Sequence, residues 1–258
     1  MVPHGVLLAG VVPGDPIDAL EVRVVGDLVD AGEQVLVLDN LSTGFISALP
    51  RPMLPIVGDV GDQALVASLI EQHKVEAIIH FAGSTIVPES MKDPLGYYGN
   101  NTANSRVLIE AAVKGGVKHF IFSSTAAVYG NPVHVPVFED DPTVPLSPYG
   151  WSKLMTEQML ADVAPAHPLN YGVLRYFNVA GADPEARSGQ STSGATHLIK
   201  VAVQAALAGH LALELLCLAV LEVNNILAQS LVDGEHQAYD NEQERQCSND
   251  GDVLQVSQ

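Results

Sequence analysis

The sequence predicts an α/β fold built on a doubly wound parallel sheet. Short apolar runs of the kind that form buried strands alternate with stretches of helical periodicity. This alternation implies a parallel sheet with helices on both faces. The chain has 258 residues, of which 47% are hydrophobic, and this is enough to bury a sizeable core.

The elements can be assigned in chain order. The predicted strands cover residues 6–9, 34–39, 54–57, 75–81, 119–123 and 171–177. The predicted helices cover residues 17–31, 63–72, 94–113, 149–164 and 196–207, and Gly32 follows the first of them as its cap. Six strands connected in this way are typical of a dinucleotide-binding (Rossmann) fold, which we place at residues 1–178.

Charge and cysteine content exclude several classes of function. The net charge of -18 argues against nucleic acid and anionic membranes as partners. Cys217 and Cys247 have no ligand-spaced neighbours, so neither a disulfide framework nor a metal site is expected. No signal peptide is visible, and the apolar residues 211–223 fall short of the roughly 20 that cross a bilayer. We therefore expect a cytoplasmic protein.

The last 27 residues, 232–258, contain seven acidic residues and one arginine, with only scattered apolar residues. This composition predicts a disordered acidic tail, because too little apolar surface is present to offset the entropy of ordering.

The strongest chemical signal is a Tyr-x-x-x-Lys pair behind a hydroxyl cluster. Ser123-Ser124-Thr125 ends the fifth predicted strand, and Tyr149 and Lys153 open the helix that follows. Residues four apart share one face of a helix, and a cation beside a phenol favours the phenolate, which can then act as a general base. A tyrosine and a lysine on an ordinary amphipathic helix would give the same pattern, so the context must decide.

The turn after the first strand departs from the usual phosphate-binding pattern. Only Gly10 and Gly14 remain of the three expected glycines, and Pro13 and Pro16 each remove an amide donor. Asp15 is also a good helix N-cap, and its carboxylate would compete with a phosphate for the amides. The turn therefore predicts a helix start more clearly than a phosphate site.

Polar or small residues follow the next three strands. Asp39 is suited to ribose hydroxyls and favours NAD over NADP, although an acid at a strand end is often only solvated. Asn40 continues a polar run, Asp59 and Val60 follow the third strand, and 81–83 supplies small residues where a cofactor would approach the backbone.

Together these segments resemble the UDP-glucose 4-epimerases, a family of extended short-chain dehydrogenases/reductases that hold NAD. The resemblance rests on residues 39–44, 79–83, 97–101, 120–130, 147–153 and 175–182. It implies interconversion of UDP-glucose and UDP-galactose by transient oxidation at sugar C4, with Tyr149 as base. Family members are commonly dimers through the helices that follow Phe81 and Tyr149, so a homodimer is expected.

The resemblance also implies a role for each matching residue. The catalytic set is Tyr149, Lys153 and Thr125. Contacts with NAD are implied for Gly10, Gly14, Asp39, Asn40, Asp59, Val60, Phe81, Ala82, Gly83, Asn100 or Asn101, Ser123, Lys153, Tyr176 and Phe177. Contacts with the UDP-sugar are implied for Thr125, Tyr149, Asn178, His197 and Leu198.

Two departures from the family bear on activity. Thr85 stands where many members carry a lysine that contacts the cofactor, and beyond Gly209 the family's usual sugar-nucleotide motifs do not follow. We therefore interpret 179–231 as only part of the C-terminal sugar-nucleotide domain. The alternative to an active epimerase is a remnant that binds NAD(H) or a nucleotide sugar without turnover.

Overall fold

The fold was examined in a computed structural model that describes residues 5–10, 18–43, 46, 49 and 52–179, all within one compact unit. Its strands are β1 (Gly5–Ala9), β2 (Gln34–Asp39), β3 (Ile56–Val57), β4 (Val75–His80), β5 (His119–Thr125) and β6 (Asn170–Tyr176). Its helices are α1 (Asp18–Asp30), α2 (Gln63–His73), α3 (Val87–Lys92), α4 (Pro94–Tyr97), α5 (Asn104–Gly115) and α6 (Pro148–Val163). The helix predicted at 196–207, the acidic tail and the Asp15 cap lie outside the described residues.

The described strands form one sheet in the order β3-β2-β1-β4-β5-β6, and every neighbouring pair is parallel. The chain winds outward from β1 to one edge and then from β4 to the other. This order confirms the predicted doubly wound fold, in which ligands bind outside the carboxyl ends of the strands where the winding reverses. Here that point lies between β1 and β4.

Core residues lie on both faces of the sheet. Leu7 of β1 packs in a cluster with residues of α2 and α5, whereas the next residue, Leu8, packs in a second cluster with Val25 of α1. Successive side chains of a strand point to opposite faces, so β1 is covered on both sides. This explains why its sequence is a continuous apolar run.

The predicted long helix at 94–113 is wrong as a single element. Asp93 caps α4, a π-helical segment follows at Tyr98–Ala103, and α5 then runs to Gly115. The hydroxyl of Ser105 donates to the main-chain carbonyl of Asn101, and such back-bonding perturbs a helix locally. The short helix α3 before it was not predicted.

The third strand is shorter than predicted. It comprises only Ile56 and Val57, whereas the apolar run suggests 54–57. Pro55 has no N–H to donate to the ladder, so pairing begins only after it. The bounds of the other elements differ from the predictions by no more than two residues.

Gly10 sits at the closest approach of β1 and β4. Its φ of 77° is in the left-handed region, and a Cβ there would collide with Ala82. The amides of Phe81 and Ala82 both donate to the carbonyl of Ala9, at 2.8 Å each, which draws the two strand ends together. Glycine is therefore required at this position.

His80 is a buried histidine at the end of β4. Its Nε2 is 2.7 Å from the hydroxyl of Ser105, and its ring packs beside those of Phe120 and Phe122. Because the Ser105 hydroxyl donates elsewhere, His80 Nε2 carries the proton in this bond. Burial, with a smaller contribution from the positive charge of Lys153, lowers the pKa of His80 to about 3.

The close approach at Gly10 predicts a large effect of a single methyl group. We expect Gly10→Ala to destabilise the fold by more than about 2 kcal/mol, through backbone strain and the clash with Ala82. Gly26→Ala is the matched control, because an added Cβ meets no atom within 4 Å in helix α1. It should stabilise by about 0.5–1 kcal/mol. Urea unfolding measures both, and equal effects would contradict the assignment.

The burial of His80 predicts a loss of stability in mild acid. The unfolded chain binds this proton below pH ~6.5, but the folded chain does not until its pKa near 3. His80 therefore weakens the fold by about 2 kcal/mol between neutral pH and pH 5. When the free energy of unfolding in urea is measured across this pH range, His80→Gln should reduce its slope with pH by the equivalent of about one bound proton. Ile109→Val, which removes a buried methyl group and no titratable group, is the control and should keep the wild-type slope. An unchanged slope in His80→Gln would disprove the assignment.

Candidate active site

The Tyr-x-x-x-Lys pair lies in the first turns of α6. Ser147 caps this helix by accepting from the amide of Gly150 at 3.2 Å, and Pro148 follows as the first helical residue. Tyr149 and Lys153 are both buried, with 5% and 2% of their surface exposed. Tyr149 packs edge-to-face on Tyr97, with 6.5 Å between the ring centroids. This burial is unlike a tyrosine and a lysine on an ordinary solvent-exposed helix face.

Lys153 connects α6 to the end of β5. Its Nζ donates to the main-chain carbonyl of Ser123 at 3.0 Å and lies 5.1 Å from the ring centroid of Phe122. Two residues on, the hydroxyl of Thr125 accepts from the amide of Ala127 at 3.1 Å. The structure therefore brings the predicted lysine and the hydroxyl cluster together at the carboxyl end of the sheet.

The loop after β4 is held against the same region. Gly83 has a φ of 157°, and a Cβ there would lie 3.3 Å from Lys153 Nζ and 3.1 Å from the side-chain oxygen of Asn101. The Asn101 side chain accepts from the amide of Ser84 at 2.7 Å and donates to its carbonyl at 2.9 Å. It also donates to the hydroxyl of Ser152 at 3.0 Å. Asn101 thus joins this loop to α6.

The structure separates the two neighbouring asparagines. Asn101 is buried and its amide is occupied by protein partners, whereas Asn100 is exposed and donates to the hydroxyl of Ser84 at 2.9 Å. Of the two, Asn100 has the side chain that solvent or a ligand can reach.

The ends of β2 and β3 form a polar corner. Asp39 accepts from the amide of Leu41 at 2.6 Å. The carboxylate of Asp59 accepts from the side chain of Asn40 at 3.0 Å, from the amide of Gly61 at 2.7 Å and from the side chain of Asn104 at 3.1 Å. Val60 packs in the core. These bonds fix the shape of the corner.

The remaining predicted residues follow β6 or lie elsewhere. Tyr176 is buried at the end of β6, Phe177 is about half exposed, and Asn178 is exposed. Gly14, His197 and Leu198 lie outside the described residues, so their predicted roles remain predictions.

Sequence reasoning missed an ion pair beside this site. Glu157 of α6 and Arg175 of β6 form a bidentate pair, with 2.7 Å between Arg175 Nη2 and Glu157 Oε2. Burial alone would lower the pKa of the Arg175 guanidinium, but Glu157 and the phenol of Tyr129 outweigh it and raise that pKa. The signal was present in the sequence, since an arginine interrupts a strand and a glutamate follows Lys153 by one helical turn.

Two other features are not found in the part of the chain that the structure describes. Within them, no three His, Cys, Asp or Glu residues are grouped so that they could hold a metal ion. No helix in the same part of the chain is both long and apolar enough to span a membrane.

Comparison with known proteins was made on sequence and on structure. Residues 23–225 match the family model described as the NAD dependent epimerase/dehydratase family. A UDP-glucose 4-epimerase of Azospirillum brasilense is 54% identical over 185 residues, which are 72% of this chain and 53% of that protein. A second, from Lacticaseibacillus casei, is 45% identical over 71% of this chain and 56% of its own length. This chain therefore spans about half the length of the curated relatives it matches.

Solved structures show the same likeness. The crystal structure of UDP-glucose 4-epimerase from Brucella ovis in complex with NAD has a TM-score of 0.72 at 40% identity, over 81% of this chain and 62% of that one. The epimerase of Bifidobacterium longum in complex with NAD+ and UDP has a TM-score of 0.68 at 34% identity, over 77% and 62%. The resemblance inferred from the sequence motifs is thus confirmed, and the chain belongs to the NAD dependent epimerase/dehydratase family.

Proposed function

We propose that this chain binds NAD and interconverts UDP-glucose and UDP-galactose, with Tyr149 as the base that takes the proton of the sugar 4′-hydroxyl. The observation that carries the proposal is the buried ammonium of Lys153, fixed on the carbonyl of Ser123 one helical turn from Tyr149. The relatives named above, which carry the epimerase name, supply the reaction and the substrate class.

In a doubly wound sheet a dinucleotide binds outside the carboxyl ends of the strands at the switch point, which here lies between β1 and β4. Gly10 and Gly83 let the chain pack tightly at this place, because a Cβ would collide with Ala82 or crowd the side chains of Asn101 and Lys153. When bound, NAD would supply the hydride acceptor for sugar C4. Asp39 would bind its ribose hydroxyls, and Lys153, Tyr176 and Phe177 would border its nicotinamide half. The other residues proposed to contact it are Asn40, Asp59, Val60, Phe81, Ala82, Asn100 and Ser123.

The polar corner refines one of these roles. Three donors already surround the carboxylate of Asp59. We therefore assign its contact with NAD to the main chain of 59–60, while its side chain holds the corner in shape.

Lys153, Tyr149 and Thr125 have different proposed roles in the proton transfer. The positive charge of Lys153 favours the phenolate of Tyr149, which can then accept a proton. The Thr125 hydroxyl already accepts from the amide of Ala127, so its own proton is directed to another acceptor. A sugar oxygen at C4 is the acceptor that the proposal requires.

The second half of the reaction reverses the first. The 4-keto sugar turns over, so that its other face is the one reduced. Tyr149 then returns its proton to the C4 oxygen, and the protein ends in its starting state. Asn178, His197 and Leu198 are proposed to bind the UDP phosphates. No net oxidation occurs, so retention of the cofactor between turnovers suits the chemistry.

A second candidate is an NAD(H)- or nucleotide-sugar-binding protein without turnover. Two observations favour it: the turn after β1 carries two prolines in place of amide donors, and the family's usual sugar-nucleotide motifs do not follow Gly209 in the sequence. This candidate predicts a bound ligand and no conversion of UDP-sugars.

We also propose that the chain forms a homodimer through the helices around α6. Met91 of α3, Leu95 of α4 and Trp151 and Met155 of α6 expose apolar side chains, and α3 and α4 both pack against α6. Exposed apolar side chains on neighbouring helices are a feature that protein interfaces bury.

Turnover by the purified chain tests the proposed reaction. We expect UDP-galactose to be converted to UDP-glucose, and Tyr149→Phe to lower kcat by about 10²- to 10⁴-fold because the base is removed. Tyr171→Phe is the matched control, since Tyr171 is exposed on β6, and should keep full activity. Equal activity of Tyr149→Phe and the wild type would exclude Tyr149 as base. Bound NAD without turnover would favour the second candidate.

Sedimentation tests the dimer. The mass of the wild type in sedimentation equilibrium should be twice that of one chain. Met155→Glu should have the mass of a monomer, because it places a charge in the apolar contact. Val133→Glu changes a loop side chain that is 96% exposed and should leave the dimer intact. A monomeric wild type at every protein concentration would refute this interface.

A further inference from the structure

A partly buried ion pair adjoins the candidate site and has no part in the proposed chemistry. Arg175 Nε lies 3.2 and 3.1 Å from the two carboxylate oxygens of Glu157, and Nη2 lies 2.7 Å from Oε2. The side chains are 8% exposed for Glu157 and 22% for Arg175. This is the fork-to-fork geometry in which both position and orientation are fixed.

Each partner also binds a further chain segment. The hydroxyl of Ser124 donates to the carboxylate of Glu157. The other guanidinium nitrogen of Arg175 donates to the hydroxyl of Tyr129 at 2.8 Å and to the carbonyl of Glu139 at 3.0 Å. The guanidinium carbon also lies 4.9 Å from the Tyr129 ring centroid. One pair thus joins α6, β6, the end of β5 and the loop after it.

Each side chain of this network lies within four residues of a candidate-site residue in the sequence. Ser124 lies between Ser123, which binds Lys153, and Thr125. Glu157 follows Lys153 by four residues, on the same face of α6. Arg175 directly precedes Tyr176. Tyr129 ends the 3-10 turn Ala126–Tyr129, which the Thr125 hydroxyl caps.

Stability alone does not account for such a pair. Taking two charges out of water costs free energy, and apolar residues of similar volume often stabilise a core as well or better. A bidentate ion pair adds geometric specificity to the contact, and this one connects one helix with two strand ends.

We infer that Glu157 and Arg175 are positioning residues that hold α6 in register with the end of β5, and so hold Tyr149 and Lys153 in place relative to Thr125. The consequence for catalysis rests on the proposed function, whereas the positioning itself does not.

Hydrogen exchange tests the positioning without substrate or cofactor. Glu157→Gln keeps the shape of the side chain and can accept from Ser124, but it loses the charge. Arg175→Lys keeps the positive charge but cannot form the bidentate pair with Glu157. Both should speed amide exchange in residues 124–130 by about tenfold, because local opening there becomes easier, while exchange in α2 stays unchanged.

Two controls separate positioning from general stability. Glu110→Gln removes the charge from an exposed ion-pair network on α5 and should leave 124–130 unchanged. Ile109→Val weakens the core by removing one buried methyl group and should not raise exchange selectively at 124–130. The inference is overturned if Glu157→Gln and Arg175→Lys either leave 124–130 unchanged or act evenly over the sheet as Ile109→Val does.

Kinetics then test the consequence for catalysis. If the wild type turns over, Glu157→Gln should lower kcat by roughly 10- to 100-fold, with a smaller change in KM, because misplacement acts on the reacting geometry. Ile109→Val should keep the wild-type kcat. An unchanged kcat in Glu157→Gln would overturn the catalytic consequence. If the wild type does not turn over, the proposed function fails, and the exchange measurement still decides the positioning.

Discussion

The burial of one positive charge organises the carboxyl end of the sheet. Lys153 is 2% exposed, and its ammonium lies on the carbonyl of Ser123. A buried ammonium needs close polar partners, so α6 must keep its first two turns against the end of β5. Its surroundings fit this demand: an aromatic ring at Phe122, a residue without a side chain at Gly83, and a histidine at His80 whose neutral form is favoured. Tyr149 is placed by the same helix.

Much of this arrangement could be predicted from local patterns. The four-residue spacing of Tyr149 and Lys153 places both on one helical face, and apolar runs such as 34–39 indicate buried strands whatever their neighbours are. Gly10 could be recognised from its position after a strand. These features depend on residues that are close in sequence, so the sequence alone predicts them well.

Other features depend on contacts made only in the folded chain. The π-helical segment at Tyr98–Ala103 lies inside a stretch that the sequence predicts as one long helix, and within it Asn101, and not Asn100, joins the loop after β4 to α6. The pairing of Glu157 with Arg175 requires β6 to lie beside β5. Neither could be derived from spacing, although a charged residue inside a strand was a sign that a partner existed.

The residues proposed to move the proton, Tyr149, Lys153 and Thr125, are among those that the structure describes, whereas His197 and Leu198, proposed to bind UDP, are not. Cofactor binding is the proposal that the described fold supports most directly, since Gly10, Gly83, Asp39 and Lys153 all belong to it.

The most direct test is therefore the NAD content of the purified full chain, measured by chromatography after acid denaturation releases whatever the protein holds. The account predicts about one NAD per chain, because the nucleotide is retained between turnovers. Protein that releases no NAD, and that takes up none when it is supplied, would contradict the account.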